Sequence, residues 1–189
     1  MSIYASQVAS HLQSGAAVLE VAPGPGLLSI ALAKMADYRI TGMDISADFV
    51  RIAAENARQE DAEVDFVQGN VSAMSFESDR FDFIVCSAAF KNFSEPLAAL
   101  NEMCRVLKPG STALIIDMNR AATAEAQDAE LERMNVKGFD RLFVKFSFRT
   151  FLRRGAYTKA ELDELLRRSD FGDFAVEETG MSLYVYAHK

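Results

Sequence analysis

Apolar residues along this chain fall into short runs of strand length, separated by stretches with helical spacing. Runs at 17–21, 38–43, 63–67, 81–87 and 112–117 are too short for buried helices and predict strands. Between them, the spacing predicts helices over 27–36, 46–59 and 95–107. Ser94 is placed to cap the last of these, Pro96 fits its first turn, and Pro109-Gly110 ends it. Strand and helix alternate, which is the signature of βαβ units and a parallel sheet. Further on, Thr158-x-x-Glu161 reads as a capping box opening a helix to about Ser169, and 174–187 reads as two strands turned at Gly180. Residues 139–152 fit both periods. Phe139, Leu142, Phe143 and Phe146 share a helical face, while Val144, Phe146 and Phe148 alternate with polar residues as in a strand; the helix is the reading adopted. No repeat, low-complexity tract or linker divides the chain, so one α/β domain over 1–189 is expected.

Chemistry concentrates where the first strand ends. Val18-Leu-Glu-Val-Ala-Pro-Gly-Pro-Gly26 is an apolar run followed by two close glycines, a strand, tight turn and helix start that can hold a nucleotide-like cofactor. Gly24 and Gly26 let the backbone approach a ligand with no Cβ in the way. Thr41-Gly-Met-Asp44 ends the next apolar run, so Asp44 is placed to accept hydrogen bonds from two ribose hydroxyls; it could instead help cap the helix after Ser46.

Together with Gly69-Asn-Val71, the run Phe81 to Ser87 and Arg105-Val-Leu-Lys-Pro-Gly110, these segments resemble the class I S-adenosylmethionine-dependent methyltransferases from about Leu12 to Asp117. Ala89-Phe-Lys-Asn-Phe-Ser94 and the following Ala98 to Gly110 look like the quinone-biosynthesis C-methyltransferases and the broad type 11 methyltransferase group. The resemblance implies a Rossmann-like, doubly wound sheet of seven strands with the last antiparallel, and S-adenosylmethionine as cofactor. It also implies roles for residues. Glu20 would support the methionine amino group, although a strand-end carboxylate capping nearby N–H groups reads equally from the residue alone. Ala22 stands where the family often has glycine, and Ile45 would pack along the adenosine. Asn70 stands where many relatives have Asp, accepting from the adenine amino group, while the Val71 N–H would donate to the ring. Ser87 would contact the cofactor, and Ser87 to Asn92 follow the fourth strand, where a substrate would face the sulfonium methyl. Lys91 could stabilise a developing anion and Asn92 hold an oxygen, or both could be solvated loop residues. The acceptor is expected to be a small aromatic or apolar molecule.

Composition narrows the alternatives. Cys86 and Cys104 lie in apolar runs without metal-ligand spacing, which suits reduced thiols in a cytoplasmic protein and predicts no metal site. No apolar run approaches a membrane span, and no charged-then-apolar leader precedes the first strand. Residues 137–154 carry six cations against Asp140, a net of +5 that leaves −12 for the rest of a −7 chain. An acidic body argues against nucleic-acid partners. The basic segment holds five phenylalanines, at 139, 143, 146, 148 and 151, so 121–157 is expected to form a substrate lid; a core helix with solvated cations is the alternative. Only about 16 residues precede the first strand, which leaves room for cover from another subunit in a homo-oligomer. Two rival functions remain open. One is a nicotinamide-dependent oxidoreductase, although its third glycine would fall at Ser29; the other is a non-catalytic cofactor-binding subunit.

Overall fold

The computed structural model describes residues 3–133 and 155–189. Among them, β1 (Ala17–Val21), β2 (Arg39–Asp44), β3 (Asp65–Gln68), β4 (Phe81–Ser87), β5 (Leu107–Met118), β6 (Asp173–Thr179) and β7 (Ser182–His188) form one sheet, in the order β3-β2-β1-β4-β5-β7-β6. The pairings β1–β2, β2–β3, β1–β4 and β4–β5 are parallel, while β7 runs antiparallel to both β5 and β6. This is the doubly wound sheet with an antiparallel last strand that the family resemblance implied.

The central strands are apolar on both faces, because helices cover both. On one face Leu19, Ile84, Cys86, Ile115 and Val185 pack with Leu100 and Met103 of α4 (Pro96–Val106) and with Leu162 and Leu166 of α6 (Lys159–Arg167). On the other, Val18, Val85, Leu114 and Ile116 pack with Ala5 and Val8 of α1 (Ile3–Ala9) and with Leu28 and Leu32 of α2 (Leu27–Ala33). The alternation along each strand thus splits a continuous apolar run between two cores.

Local signals set several boundaries. Ser46 caps α3 (Ala47–Gln59) by accepting from the Phe49 N–H, and Thr158 and Glu161 form both bonds of the expected capping box at α6. The β6–β7 hairpin turns at Gly180, whose φ is +59°. Other expectations need correction. The N-cap position of α4 is Glu95 without a side-chain bond, not Ser94, which faces a cavity instead. β5 begins at Leu107 rather than 112, since Leu107 already pairs with Phe81 before a register shift. α1, which the pattern did not single out, precedes β1. α5 (Ala124–Arg133) follows β5, and the helix read at 139–152 lies outside the described residues, as does most of the lid reading for 121–157. Among the described residues no helix is long and apolar enough to cross a membrane.

Candidate active site

The strand order reverses between β1 and β4, and the crevice at their carboxyl ends is where doubly wound sheets bind ligands. The turn leaving β1 is left-handed at three positions: Ala22 (φ +55°), Gly24 (φ +53°) and Gly26 (φ +80°). Gly26 is also confined by space, because a Cβ there would lie 2.7 Å from Phe66 Cζ and 3.0 Å from Ala53 Cβ. Ala22 adopts the strained conformation without being glycine. Its N–H donates to the Met43 carbonyl at 2.8 Å, which ties the turn to β2. Ala88, just past β4 across the crevice, is also left-handed at φ +59°. Two strained alanines therefore flank the switch point, where such strain concentrates in functional sites.

Asp44 ends β2 almost fully buried. Its Oδ2 accepts from the Gly24 N–H at 3.1 Å and its Oδ1 from the Ser46 N–H at 2.9 Å. Each carboxylate oxygen has two acceptor positions, so one on each remains for a hydroxyl. The capping and ribose readings of Asp44 are thus compatible: the backbone bonds fix the carboxylate, and a diol can complete it.

Glu20 is engaged by the helix that follows the turn. It is 3% exposed, and its carboxyl accepts from both the backbone N–H (2.9 Å) and the hydroxyl of Ser29 in α2. Burial raises its pKa from 4.5 to about 7, opposed by the Ser29 hydrogen bonds and assisted by the nearby Asp44 charge. The strand-end capping alternative describes this arrangement, and Ser29 is a partner that reading did not name. Its only sequence signal is its place one turn into the helix after Gly26.

A cavity of about 110 Å³ opens beside the turn, lined by Val21 and Ala22 of β1 and its turn, Met43 and Ile45 around the end of β2, Gly69 to Ser72, and Asn92 to Ser94. The structure therefore brings Ala22, Ile45, Asn70, Val71 and Asn92 together around one space, with Asp44, Gly24 and Gly26 joined to it through the turn. Glu20, Gly24, Gly26, Asp44, Ser87 and Lys91 are not among its lining residues. Ile45 is 69% exposed, an apolar side chain at the rim of a site able to cover a flat ring. Asn70 Oδ1 accepts from the Ser72 N–H at 2.9 Å, so its amide oxygen is partly engaged and its NH₂ is oriented as a donor. Phe93 and Ser94 were not anticipated as lining residues; they reach the cavity through the short 3₁₀ turn at Phe90–Asn92.

Lys91 of that turn is not a free cation. Its ammonium lies 3.0 Å from Asp117 Oδ1 and donates to the Ala88 carbonyl at 2.7 Å, with the side chains 12% and 4% exposed. Cys86, fully buried at the end of β4, is held as the neutral thiol chiefly by burial, with the Asp117 charge adding to it. A larger groove, about 440 Å³, lies at the opposite ends of the strands between residues 11–16, 82–83 and 110–112. It is far from the switch point, and its Asp82 is already held by the Ala17 N–H and Lys108.

A family profile described as "Methyltransferase domain" matches residues 18–110. The chain is 33% identical over 137 residues to the ubiquinone/menaquinone biosynthesis C-methyltransferase UbiE of Bradyrhizobium diazoefficiens, covering 70% of this chain and 49% of that protein. It is 31% identical over 113 residues to the ubiquinone biosynthesis O-methyltransferase of Xanthomonas campestris pv. campestris, covering 59% and 47%. The chain thus spans about half the length of these curated relatives. A SAM-dependent methyltransferase structure from Aquifex aeolicus superposes with a TM-score of 0.73 at 23% identity, over 97% of this chain and 88% of that one, which shows a shared fold. The matched profile spans the glycine turn, Asp44, the Asn70 loop and β4, the segments that build the cavity, so residues 18–110 carry the methyltransferase domain this profile describes, within a sheet that has the fold of S-adenosylmethionine-dependent methyltransferases.

Proposed function

We propose that this chain binds S-adenosylmethionine at the β1–β4 switch point and transfers its methyl group to a small aromatic or apolar acceptor. The observation that carries the reading is Asp44: a buried carboxylate, fixed by two backbone N–H groups, with an acceptor position left on each oxygen beside a cavity lined by Ile45, Asn70 and Val71. The cofactor supplies a methyl on a positively charged sulfur, an electrophile that needs no further activation. The chain's own work is then orientation and exclusion of water. Asp44 would hold the ribose, Ile45 and Val71 would enclose the base, Asn70 would meet its polar edge through the NH₂, and the Gly24–Gly26 turn would pass beneath the amino-acid end. Glu20 would act from below, fixing α2 against the turn through Ser29. Asn92, on the cavity wall, would orient the acceptor.

Among the described residues that line the cavity none is titratable, and in this reading the acceptor arrives already nucleophilic, as a phenolate or an activated carbon. The second reading, a non-catalytic S-adenosylmethionine-binding subunit, would use the same cavity without an acceptor. The quinone biosynthesis in the names of the two curated relatives makes an aromatic acceptor the first to test here, for carbon or oxygen methylation. Both cysteines are free and buried, which suits a cytoplasmic setting, and the reading invokes neither a nucleic-acid nor a membrane partner.

Calorimetry tests the site. The chain should bind S-adenosylhomocysteine well and NADH poorly, and Asp44→Ala should weaken S-adenosylhomocysteine binding by about 1–3 kcal/mol, the range for hydrogen bonds to a charged group. Tighter binding of NADH would overturn the cofactor assignment. A screen of small aromatic metabolites with labelled S-adenosylmethionine separates enzyme from binding subunit by whether a product one methyl heavier forms.

A further inference from the structure

We infer that Lys91 and Asp117 are a positioning pair that shapes the cleft by holding Ala88 in its left-handed turn, rather than groups that act on the acceptor. The inference rests on the cofactor reading above but concerns residues outside the cavity lining. Asp117, at the end of β5, receives the Lys91 N–H at 2.9 Å, the Met118 N–H at 2.7 Å and the Lys91 ammonium at 3.0 Å. Another ammonium proton goes to the Ala88 carbonyl at 2.7 Å. The other end of the Ala88 residue is fixed too, since its N–H donates to the Ile116 carbonyl at 2.7 Å. Ala88 is thus gripped at both its N–H and its carbonyl in a conformation that an L-residue disfavours. A buried ion pair is weak support for stability, and its best use is to specify one geometry among several.

That geometry sets the direction of the chain beyond Ala88. The backbone turns directly into Phe90–Asn92, where the Asn92 N–H returns to the Ala89 carbonyl at 2.9 Å and the Phe93 N–H to the Phe90 carbonyl at 3.1 Å. That turn delivers Asn92, Phe93 and Ser94 to the cavity wall facing Ala22 and Ile45. A second contact braces it from behind. Gly155, at φ +80°, sits so close that a Cβ would lie 2.9 Å from the Lys91 carbonyl, and the Tyr157 and Phe90 rings are 5.6 Å apart. An ammonium on a side chain that is 12% exposed, with a carboxylate and a carbonyl as partners, is poorly disposed to meet a substrate anion and well disposed to set a peptide.

The test replaces both charges together, as Lys91→Met/Asp117→Asn, so that neither is left buried alone. Two readouts are taken: S-adenosylhomocysteine affinity by calorimetry, and hydrogen exchange across residues 87–93 in the ligand-free protein. The pair variant should bind about tenfold more weakly, a change of 1.4 kcal/mol, and exchange faster at 87–93. Adding Ala88→Gly, which removes the left-handed penalty, should recover at least threefold of that affinity. Charge stabilisation of an acceptor could not be restored by a glycine at 88. Lys91→Gln/Asp117→Asn, which keeps one donor for the Ala88 carbonyl, serves where the first variant does not fold, and should show a smaller loss with the same recovery. Unchanged affinity in a folded pair variant, or no recovery with Ala88→Gly, overturns the inference. If the wild-type chain fails to bind S-adenosylhomocysteine, the cofactor reading falls instead, and the exchange readout still decides whether the pair holds the turn: unaltered exchange at 87–93 overturns it.

Discussion

Single residues in the β1 turn differ in what they tolerate, and the difference is measurable. Gly24 and Gly26 are both left-handed, but space is open around Gly24 while Gly26 faces Phe66 and Ala53. Gly24→Ala should cost about 1–2 kcal/mol for its backbone conformation alone, and Gly26→Ala about 2–4 kcal/mol once overpacking is added. Urea denaturation of the two variants checks the order; equal losses would mean Phe66 swings away freely. Glu20 makes a pH prediction. The folded chain holds its proton up to about pH 7, whereas an unfolded glutamate releases it near 4.5. Its stabilising contribution is therefore complete below the unfolded value and is lost as pH rises through the folded one. Glu20→Gln should flatten ~3 kcal/mol of the decline in stability between those two pH values. A decline of the same depth in the variant would show that the carboxyl is not its source. Asp44 and the glycines were legible at this scale because strand-end position and residue type confine their uses. The partners of Glu20 and Lys91 were not. Ser29 lies nine residues away and Asp117 twenty-six, and neither distance follows from any local period.

At the scale of elements, boundaries held where a side chain supplies the terminating hydrogen bond. Thr158 and Glu161 close a reciprocal box at α6, and Ser46 does the same singly at α3. Thr158→Ala should lower stability by about 1 kcal/mol, read from denaturant midpoints, while leaving S-adenosylhomocysteine affinity unchanged, because α6 reaches the core through Leu162 and Leu166 and no α6 residue lines the cavity. A fall in affinity would tie α6 to the site. Boundaries failed where tertiary pairing took over from local signals. Lys108-Pro-Gly110 reads as a stop, yet β5 runs through it because Leu107 pairs with Phe81 and the Gly110 N–H finds the Lys189 carbonyl. Ser94 is a good cap by type, but the 3₁₀ turn rotates it into the cavity and leaves the α4 N-cap position to Glu95.

Across the whole molecule, ligand binding should appear as stability, since S-adenosylhomocysteine would bind only the assembled crevice. At a hundredfold excess over Kd the gain is about 2.7 kcal/mol, which for a chain of this size corresponds to roughly 5–11 °C in Tm. NADH at the same concentration should leave Tm unmoved; a comparable shift with it would argue for the oxidoreductase alternative. The doubly wound sheet that makes the crevice was implied by the family resemblance, and the alternation of strands and helices followed by a terminal hairpin agrees with it. By itself the sequence determined the fold class, the glycine turn and the buried carboxylate after β2, all of which rest on short-range pattern and residue chemistry. Only the tertiary structure decided that Asp44 both braces the turn and keeps acceptor positions free, that Glu20 grips Ser29, and that Lys91 is neutralised by Asp117. Those outcomes depend on which strand ends the sheet brings side by side, and on the loss of water there, which obliges every buried charge to find a partner.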